Sequence, residues 1–256
     1  MKILVIGAGA AGLLAAGKAA ETADEVVIIE KNDIIGKKLL ITGKGRCNIT
    51  NSADIEDMIG QYPRNAKFLY SALYTFTNDD IIRIIEENGV KTKVERGGRV
   101  FPVSDKSQDV VKALKKYALK PNVSLVHDTV KSLIISDGAV KGVKTSKTSI
   151  TADRVIICTG GKSYPRTGST GDGYKFAKQA GHAIIEPKAS LIPVLTEEKF
   201  VKDIMGLSLR NIKITAFNQK NKKVYSDFGE MLFTHFGISG PVVLSMSAYL
   251  KNIGKE

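Results

Sequence analysis

The fold of this chain is decided near its beginning, at KILVIGAGAAG (residues 2–12). Residues 3–6 are apolar and mostly β-branched, which is typical of a buried parallel strand. The glycine-rich turn leads into residues 13–22, which are rich in Ala and Leu and favour a helix. A second apolar run, residues 25–29, ends at Glu30. The order of strand, glycine turn, helix, strand and acid predicts a dinucleotide-binding unit.

Each glycine of this motif has a physical role. Gly7 permits a tight turn, Gly9 lets a pyrophosphate approach the backbone, and Gly12 lets the helix pack close to the strand. The free N–H groups at the helix N-terminus attract phosphate, and Glu30 can accept hydrogen bonds from a ribose. A glycine turn without a ligand and a signal peptide are the alternatives. The second strand and Glu30 have no place in a signal peptide, so the binding site is preferred.

The composition limits which classes of protein this chain can belong to. The chain has 256 residues, 43% of them hydrophobic, which is enough for a sizeable core in one large or two smaller domains. Two cysteines and the lack of a recognisable targeting segment predict a reducing, cytoplasmic protein without disulfides. Three scattered histidines predict no metal site. The apolar run near the N-terminus is too short to cross a bilayer, so no membrane association is expected.

The formal net charge of +12 raises nucleic acid as a partner, but the pattern of charges disfavours it. The excess comes from lysine, and arginine, the better bidentate reader of nucleic acid, is scarce. The lysine runs are not interleaved with aromatic residues. A solvated basic surface that attracts an anionic cofactor or substrate explains the charge without a further partner.

The remaining chain alternates helical and strand patterns. Residues 34–51 form a basic, glycine-rich loop, and residues 77–88 form a helix with Thr77 as its N-cap. Ser104 or Asp105 is predicted to cap the next helix, and Ser169 or Thr170 a later one. Between them, residues 122–161 follow a period of two, which predicts a small meander and then a second buried strand that ends in glycines. Strands and a helix over 242–253 follow a domain boundary near residue 188.

This order of elements favours a flavin over a nicotinamide cofactor. A free-standing nicotinamide dehydrogenase continues after its first acid with further strand–helix units in one sheet. This chain instead inserts the basic loop, helices and the meander before Thr159-Gly160-Gly161. That arrangement is typical of flavoproteins with two dinucleotide folds, whose extended FAD lies across the first sheet.

Several motifs together resemble one family of bacterial FAD-dependent oxidoreductases, commonly labelled aminoacetone-oxidase-like or NAD(P)/FAD-dependent oxidoreductases. The motifs are GAGAAG (7–12), GKGRCN (43–48), GRVFP (98–102), CTGG (158–161), GSTGDGY (168–174) and LFTHFGISGP (232–241). The family is similar to fumarate-reductase flavoproteins in its FAD domain. The resemblance implies an α/β fold, with a Rossmann FAD-binding domain of the two-dinucleotide type and its meander over 1–188. A partial, β-rich inserted substrate domain would follow over 189–256.

The resemblance also implies a set of cofactor contacts. The pyrophosphate, ribose, flavin and adenine would be held by Gly7, Gly9, Ala10, Ala11, Gly12, Glu30, Lys31, Lys37, Lys38, Thr42, Gly43, Cys47, Asn48, Val130, Thr159, Gly160, Gly161 and Asp172. Members of the family continue beyond the position of Glu256. The chain is therefore expected to be C-terminally truncated and to lack a strand and glycine turn that close the flavin pocket.

No general base emerges from the sequence. His235 could reach a substrate or be a packed histidine, Arg99 could bind an anionic group or pair with a carboxylate, and Cys47 could be redox-active or a small packing residue. The favoured function is hydride transfer between a small-molecule substrate and FAD, with NAD(P)H left open as a reductant. The alternatives are an inactive, truncated flavoprotein and a basic flavoprotein that contacts nucleic acid.

Overall fold

The computed structural model describes residues 1–250, and these divide into two compact units. The first unit comprises Met1–Tyr62 and Ala66–Ile185, and the second comprises Pro63–Asn65 and the chain from Glu186 onward. The division at residue 185 lies three positions before the predicted boundary at 188. The last six residues of the predicted second domain lie outside the described residues. The helix predicted over 242–253 ends earlier, at Ser247, and its last three predicted positions also lie outside the described residues.

The first unit contains most of the regular structure. Its strands are β1 (Lys2–Ile6), β2 (Glu25–Glu30), β3 (Thr50–Asn51), β4 (Thr92–Glu95), β5 (Arg99–Pro102), β6 (Val123–His127), β7 (Val130–Ser136), β8 (Ala139–Thr145), β9 (Ser149–Thr151) and β10 (Arg154–Ile157). Its α-helices are α1 (Ala10–Ala19), α2 (Ile55–Gly60), α3 (Tyr70–Thr75), α4 (Asn78–Glu87), α5 (Ser107–Ala118) and α6 (Asp172–Gln179).

A four-stranded parallel sheet, in the order β10-β1-β2-β6, is the centre of this unit. Alternate residues of β1 point to opposite faces: Ile3 and Val5 join one buried cluster, and Leu4 and Ile6 join another. A parallel sheet with helices or a second sheet on each face buries both sides of its strands, which explains the continuous apolar runs in the sequence. The predicted Rossmann-type α/β class is therefore confirmed.

Helices α1 and α5 cover one face of the sheet. Leu13 and Ala16 of α1 and Leu114 of α5 are buried with the odd-numbered residues of β1. The two helices approach closely at Gly17, where a Cβ would overlap the ring of Tyr117. A small residue is therefore required at that crossing.

The meander β7-β8-β9 and helix α6 cover the other face. Val130, Leu133, Val143 and Phe176 are buried against Leu4, Ile6, Val27 and Ile29. The three strands are antiparallel, but two register shifts in β7 interrupt the predicted period of two. Residues 123–127, predicted as part of the meander, instead form β6 of the parallel sheet. This layer places Val130 and the start of α6 beside the carboxyl ends of the parallel strands.

Two predicted helix caps are wrong, and one is confirmed. Helix α5 begins at Ser107 with Lys106 at the N-cap and no side-chain cap, whereas Ser104 or Asp105 was predicted. Helix α6 has Gly171 at the N-cap and no side-chain cap, whereas Ser169 or Thr170 was predicted. The Thr170 hydroxyl is instead hydrogen-bonded to Lys31 and Asp172. Thr77 does cap α4, as half of a capping box with Asp80.

The second unit contains an antiparallel sheet with the order β11-β14-β13-β12. Its elements are β11 (Val194–Leu195), β12 (Ser208–Phe217), β13 (Lys223–Thr234), β14 (Gly237–Ser239) and α7 (Pro241–Ser247). Val242, Val243 and Met246 of α7 are buried against one face of this sheet. Strand β13 spans 12 residues and pairs with β12 in a long hairpin that includes Gly229.

Candidate functional site

A cleft of about 660 Å³ lies within the first unit, at the carboxyl ends of β1, β2 and β10. This volume is in the range of small-molecule and cofactor sites, ~300–1,000 Å³. Ligands of open α/β sheets bind at this edge. The predicted contacts that line it are Gly7, Gly9, Ala10, Ala11, Glu30, Lys31, Lys37, Lys38, Thr42, Val130, Thr159, Gly160, Gly161 and Asp172.

The glycine turn between β1 and α1 forms the floor of the cleft. Gly7 has a φ of 104°, and a Cβ there would lie 2.5 Å from the carbonyl oxygen of Cys158. A Cβ at Gly12 would overlap the carbonyl oxygen of Gly7, so Gly12 serves the close packing of helix and strand and does not line the cleft. These two glycines are required by the protein itself.

Gly9 differs, because a Cβ built on it would meet nothing within 4 Å. It is the N-cap of α1, with no side-chain cap and no acidic residue in the first turn of the helix. The first N–H groups of an α-helix lack intrahelical partners and carry partial positive charge. Open space and uncapped amides at the same point suit an anionic ligand such as a diphosphate.

Glu30 ends β2 at the side of the cleft and is only 6% exposed. Its Oε2 accepts a hydrogen bond from the Ala8 N–H at 2.7 Å. Its Oε1 accepts two, from the backbone N–H and the side-chain Nδ2 of Asn32, at 2.8 and 2.7 Å. A carboxylate offers about four lone-pair sites, so these three bonds leave Oε2 with one further site among the described residues. The carboxylate is thus fixed in orientation and can still accept from a ribose hydroxyl.

Two lysines of the cleft are tied to the glycine-rich segment beyond β10. Lys31 Nζ donates to Thr170 Oγ1 at 2.8 Å and to Asp172 Oδ2 at 2.7 Å. Burial alone would raise the pKa of Asp172, but the bonds from Lys31 and Thr170 outweigh it, so the pKa lies below its ordinary value. Lys38 Nζ donates to the Ser163 carbonyl at 2.8 Å, and burial lowers the pKa of this lysine.

Besides Gly12, three predicted contacts do not line the cleft: Gly43, Cys47 and Asn48. Cys47 is 1% exposed with a φ of 63°, and burial raises the pKa of its thiol. A Cβ at Gly43 would lie 2.9 Å from the Asn48 nitrogen and 3.1 Å from the Phe101 ring. The loop is therefore folded against its own backbone and Phe101. The role of these three residues as cofactor contacts stays a prediction.

An ion-pair network holds that loop in place. Arg46 binds both oxygens of Glu95 at 2.9 Å and lies 4.0 Å over the ring of Phe101. The hydrogen bond from Arg46 holds the pKa of the Glu95 carboxyl below its ordinary value. Arg99, considered above as an anion ligand or ion-pair partner, lies 5.8 Å over Phe101 and donates from Nε to the Arg96 carbonyl.

His235 belongs to the second unit, in the turn between β13 and β14. Its ring stands edge-on to Phe236, with 4.8 Å between the ring centroids. Within the described residues, no group of three or more His, Cys, Asp or Glu side chains could hold a metal ion.

Sequence reasoning missed Asn32, Asp128 and Gly168, which also line the cleft. Asn32 stands two residues after the acid that ends β2, and an amide at that position could have been read as a partner for the acid. Asp128 accepts hydrogen bonds from Thr145, Thr129 and Lys147, which lower the pKa of its carboxyl despite burial. Gly168 packs against Asn32, which lies 136 residues earlier in the chain, and no local sequence pattern reveals such a contact.

The residues of the cleft fit FAD. The uncapped helix start at Gly9, the Glu30 carboxylate with its remaining acceptor site, and the apolar side chain of Val130 all line one cleft, together with Lys38 and Thr42. This sequence of groups matches the parts of an extended adenine dinucleotide.

Comparison with known proteins finds two kinds of curated relative. The chain is 36% identical to "Ribosomal RNA dihydrouridine synthase" of Haemophilus influenzae, over 96% of this chain and 61% of that protein. It is 32% identical to "3-dehydro-bile acid delta(4,6)-reductase" of Clostridium scindens, over 97% of this chain and 60% of that protein. The chain thus spans about 60% of the length of these curated relatives.

Solved structures share the fold. A flavocytochrome c3 fumarate reductase has a TM-score of 0.58 at 18% identity, over 82% of this chain and 46% of that one. The 3-ketosteroid-delta4-(5alpha)-dehydrogenase of Rhodococcus jostii has a TM-score of 0.53 at 13% identity, over 81% and 59%. Residues 1–241 match the family described as "HI0933-like protein Rossmann domain". The chain belongs to the HI0933-like Rossmann family of FAD-binding flavoproteins.

Proposed function

We propose that this chain is the cofactor-binding part of a FAD-dependent reductase that saturates a carbon–carbon double bond conjugated to a carbonyl. The observation that carries the proposal is the cleft, in which the open Gly9 position and the oriented Glu30 carboxylate lie at the carboxyl edge of one parallel sheet. When bound, FAD supplies a two-electron carrier that gives or takes a hydride.

The chain's own residues bind and orient the cofactor in this proposal. The amides at the start of α1 hold the diphosphate, and Glu30 accepts from the adenosine ribose. Val130 would lie beside the adenine. Lys37, Lys38 and Thr42, which also line the cleft, would lie beside the flavin.

The names of the two kinds of relative support the type of reaction. A dihydrouridine is a uridine whose C5–C6 double bond, conjugated to the C4 carbonyl, has been saturated. A delta(4,6) double-bond system in a 3-dehydro bile acid is likewise conjugated to the C3 carbonyl. In both reactions one carbon receives a hydride and its neighbour receives a proton. We infer the same reaction for the protein to which this chain belongs, with a small-molecule enone as its substrate.

Uridine within ribosomal RNA is the second candidate substrate. Two relatives carry the name ribosomal RNA dihydrouridine synthase, at 36% and 31% identity. The net charge of +12 would favour association with RNA. The scarcity of arginine, which disfavoured nucleic acid in the sequence, does not prevent phosphate binding by lysine.

An electron-transfer assay tests both candidates. The purified chain is loaded with FAD and reduced anaerobically with dithionite, and its flavin absorbance is followed after addition of cyclohexenone, a 4-en-3-one steroid or a uridine-containing RNA oligonucleotide. Reoxidation by an enone supports the proposal, and reoxidation by RNA alone supports the second candidate. Failure to retain FAD, or reoxidation by neither class, contradicts the proposed function. NADH and NADPH are tested in place of dithionite as reductants.

A further inference from the structure

The carboxylate of Glu30 is held from both sides. Ala8 donates to Oε2, and Asn32 donates to Oε1 through both its backbone N–H and its side-chain Nδ2. The Asn32 carbonyl oxygen lies 2.9 Å from His127 Nδ1, so the backbone of Asn32 is itself anchored. A carboxylate with three donors has little rotational freedom, and its remaining acceptor site points in a fixed direction.

The Asn32 side chain also contacts Thr167–Asp172, which we call the second glycine segment. Its Nδ2 lies 3.4 Å from the Thr167 carbonyl oxygen. Gly168 has a φ of 99°, and a Cβ there would lie 2.5 Å from Asn32 Nδ2. The backbone of the segment therefore passes directly against the amide that holds Glu30.

The neighbouring residue attaches to the same segment. Lys31 Nζ donates to Thr170 Oγ1 and Asp172 Oδ2. Lys31 and Asn32, which directly follow β2, thus both contact the second glycine segment. Both residues also line the cleft, together with Gly168 and Asp172. A ligand beside Glu30 would contact the whole arrangement.

We propose that Asn32 is a positioning residue, which aims the Glu30 carboxylate at the adenosine ribose and fixes it relative to the second glycine segment. This inference rests on the cofactor placement proposed above. Asn32 acts through Glu30 and sets the preference of the site for a ribose with its hydroxyls. Loss of its side chain removes one of the three donors and the contact with the second glycine segment, so the carboxylate stays in place but is less firmly oriented.

The test measures discrimination between ADP and 2′-deoxy-ADP by the full chain after flavin removal, using titration calorimetry. A hydrogen bond to a charged group is worth about a tenfold change in affinity, so the unmodified chain should prefer ADP by about tenfold. Asn32→Ala should bind ADP about tenfold more weakly and lose most of the preference. Asn32→Ser, which keeps a short donor, should recover part of it and serves if the alanine variant fails to fold.

Asn122→Ala is the matched control. Its Nδ2 donates to the carbonyls of Ala20 and Ala23, and Asn122 does not line the cleft. This variant should lower the free energy of unfolding without changing the preference for ADP.

The outcomes distinguish a failure of the role of Asn32 from a failure of the proposed function. If the unmodified chain prefers ADP and the Asn32 variants keep that preference, or bind both ligands equally more weakly, the role of Asn32 is overturned. If the unmodified chain binds neither ADP nor FAD, the proposed function fails first.

Discussion

Replacement of Gly9 by valine separates cofactor binding from folding. A Cβ at Gly9 meets nothing within 4 Å, and its φ of −81° and ψ of −170° are allowed for any L-residue. Valine is a poorer N-cap than glycine, by about 1 kcal/mol, but it also restricts the unfolded chain, by about 0.4–1 kcal/mol. The free energy of unfolding should therefore change by less than about 1 kcal/mol.

The effect on FAD should be much larger. The valine methyl groups would occupy the space in which we place the diphosphate, at the uncapped amides of α1. We expect a loss of at least about 100-fold in FAD affinity, which corresponds to about 2.8 kcal/mol. The measurements are FAD titration, followed by flavin fluorescence, and urea unfolding of the flavin-free chain.

Gly60→Val provides the matched control. Gly60 ends α2, lies outside the cleft, and also has no atom within 4 Å of a built Cβ. This variant should bind FAD normally. Normal FAD binding by Gly9→Val would refute the placement of the diphosphate, and equal loss in both variants would show that the effect is not specific to the cleft.

Three further predictions follow from the packing and the charges. Gly12→Ala should lower the free energy of unfolding by about 3 kcal/mol in urea melts, because its Cβ would overlap the Gly7 carbonyl; a change below about 0.5 kcal/mol would contradict this contact. The pKa of Glu95 is lower in the folded than in the unfolded chain. The ion pair of Glu95 with Arg46 therefore contributes to the free energy of unfolding above the ordinary pKa of 4.5, and this contribution is lost as the pH falls below 4.5. Arg46→Met should therefore weaken the fall in melting temperature between pH 5 and pH 3, and an unchanged pH dependence would count against the pair. Cys47 should react with Ellman's reagent only after unfolding, because burial covers its thiol and raises its pKa; rapid reaction in the native chain would show that the loop opens.

The sequence predicted the centre of the fold because local patterns determine it. The runs at residues 2–6 and 25–30 are continuous and apolar, as a strand covered on both faces requires, and the glycine turn between them has one common structural solution. The helix that begins at Thr77 was also predictable, since a capping box lies within four consecutive residues.

The caps of α5 and α6 could not be predicted in the same way. The side chains of Ser104, Asp105, Ser169 and Thr170 all favour N-caps, so local propensity gave candidates one or two residues too early. Tertiary contacts decide instead: Asp105 pairs with Lys93, and the Thr170 hydroxyl is engaged by Lys31. Such pairs lie 12 or more residues apart, beyond the reach of a local pattern.

In the candidate site too, residues of one local motif were predictable, and residues that depend on distant contacts were not. The glycines and Glu30 belong to one contiguous motif and were found from the sequence. Asn32 and Gly168 were missed because their role depends on a contact between two separate segments. Gly43, Cys47 and Asn48 were assigned through a resemblance, and in this structure they support a loop beside the cleft.

In the part of the chain that the structure describes, no helix combines the length and the apolar character needed to cross a membrane.

An experimental structure of the chain with ADP tests the central claim most directly. We expect the diphosphate oxygens within hydrogen-bond distance of the amides at Gly9–Ala11, and a ribose hydroxyl donating to Glu30 Oε2. A nucleotide bound elsewhere, or a Glu30 carboxylate without ribose contact, would contradict the account.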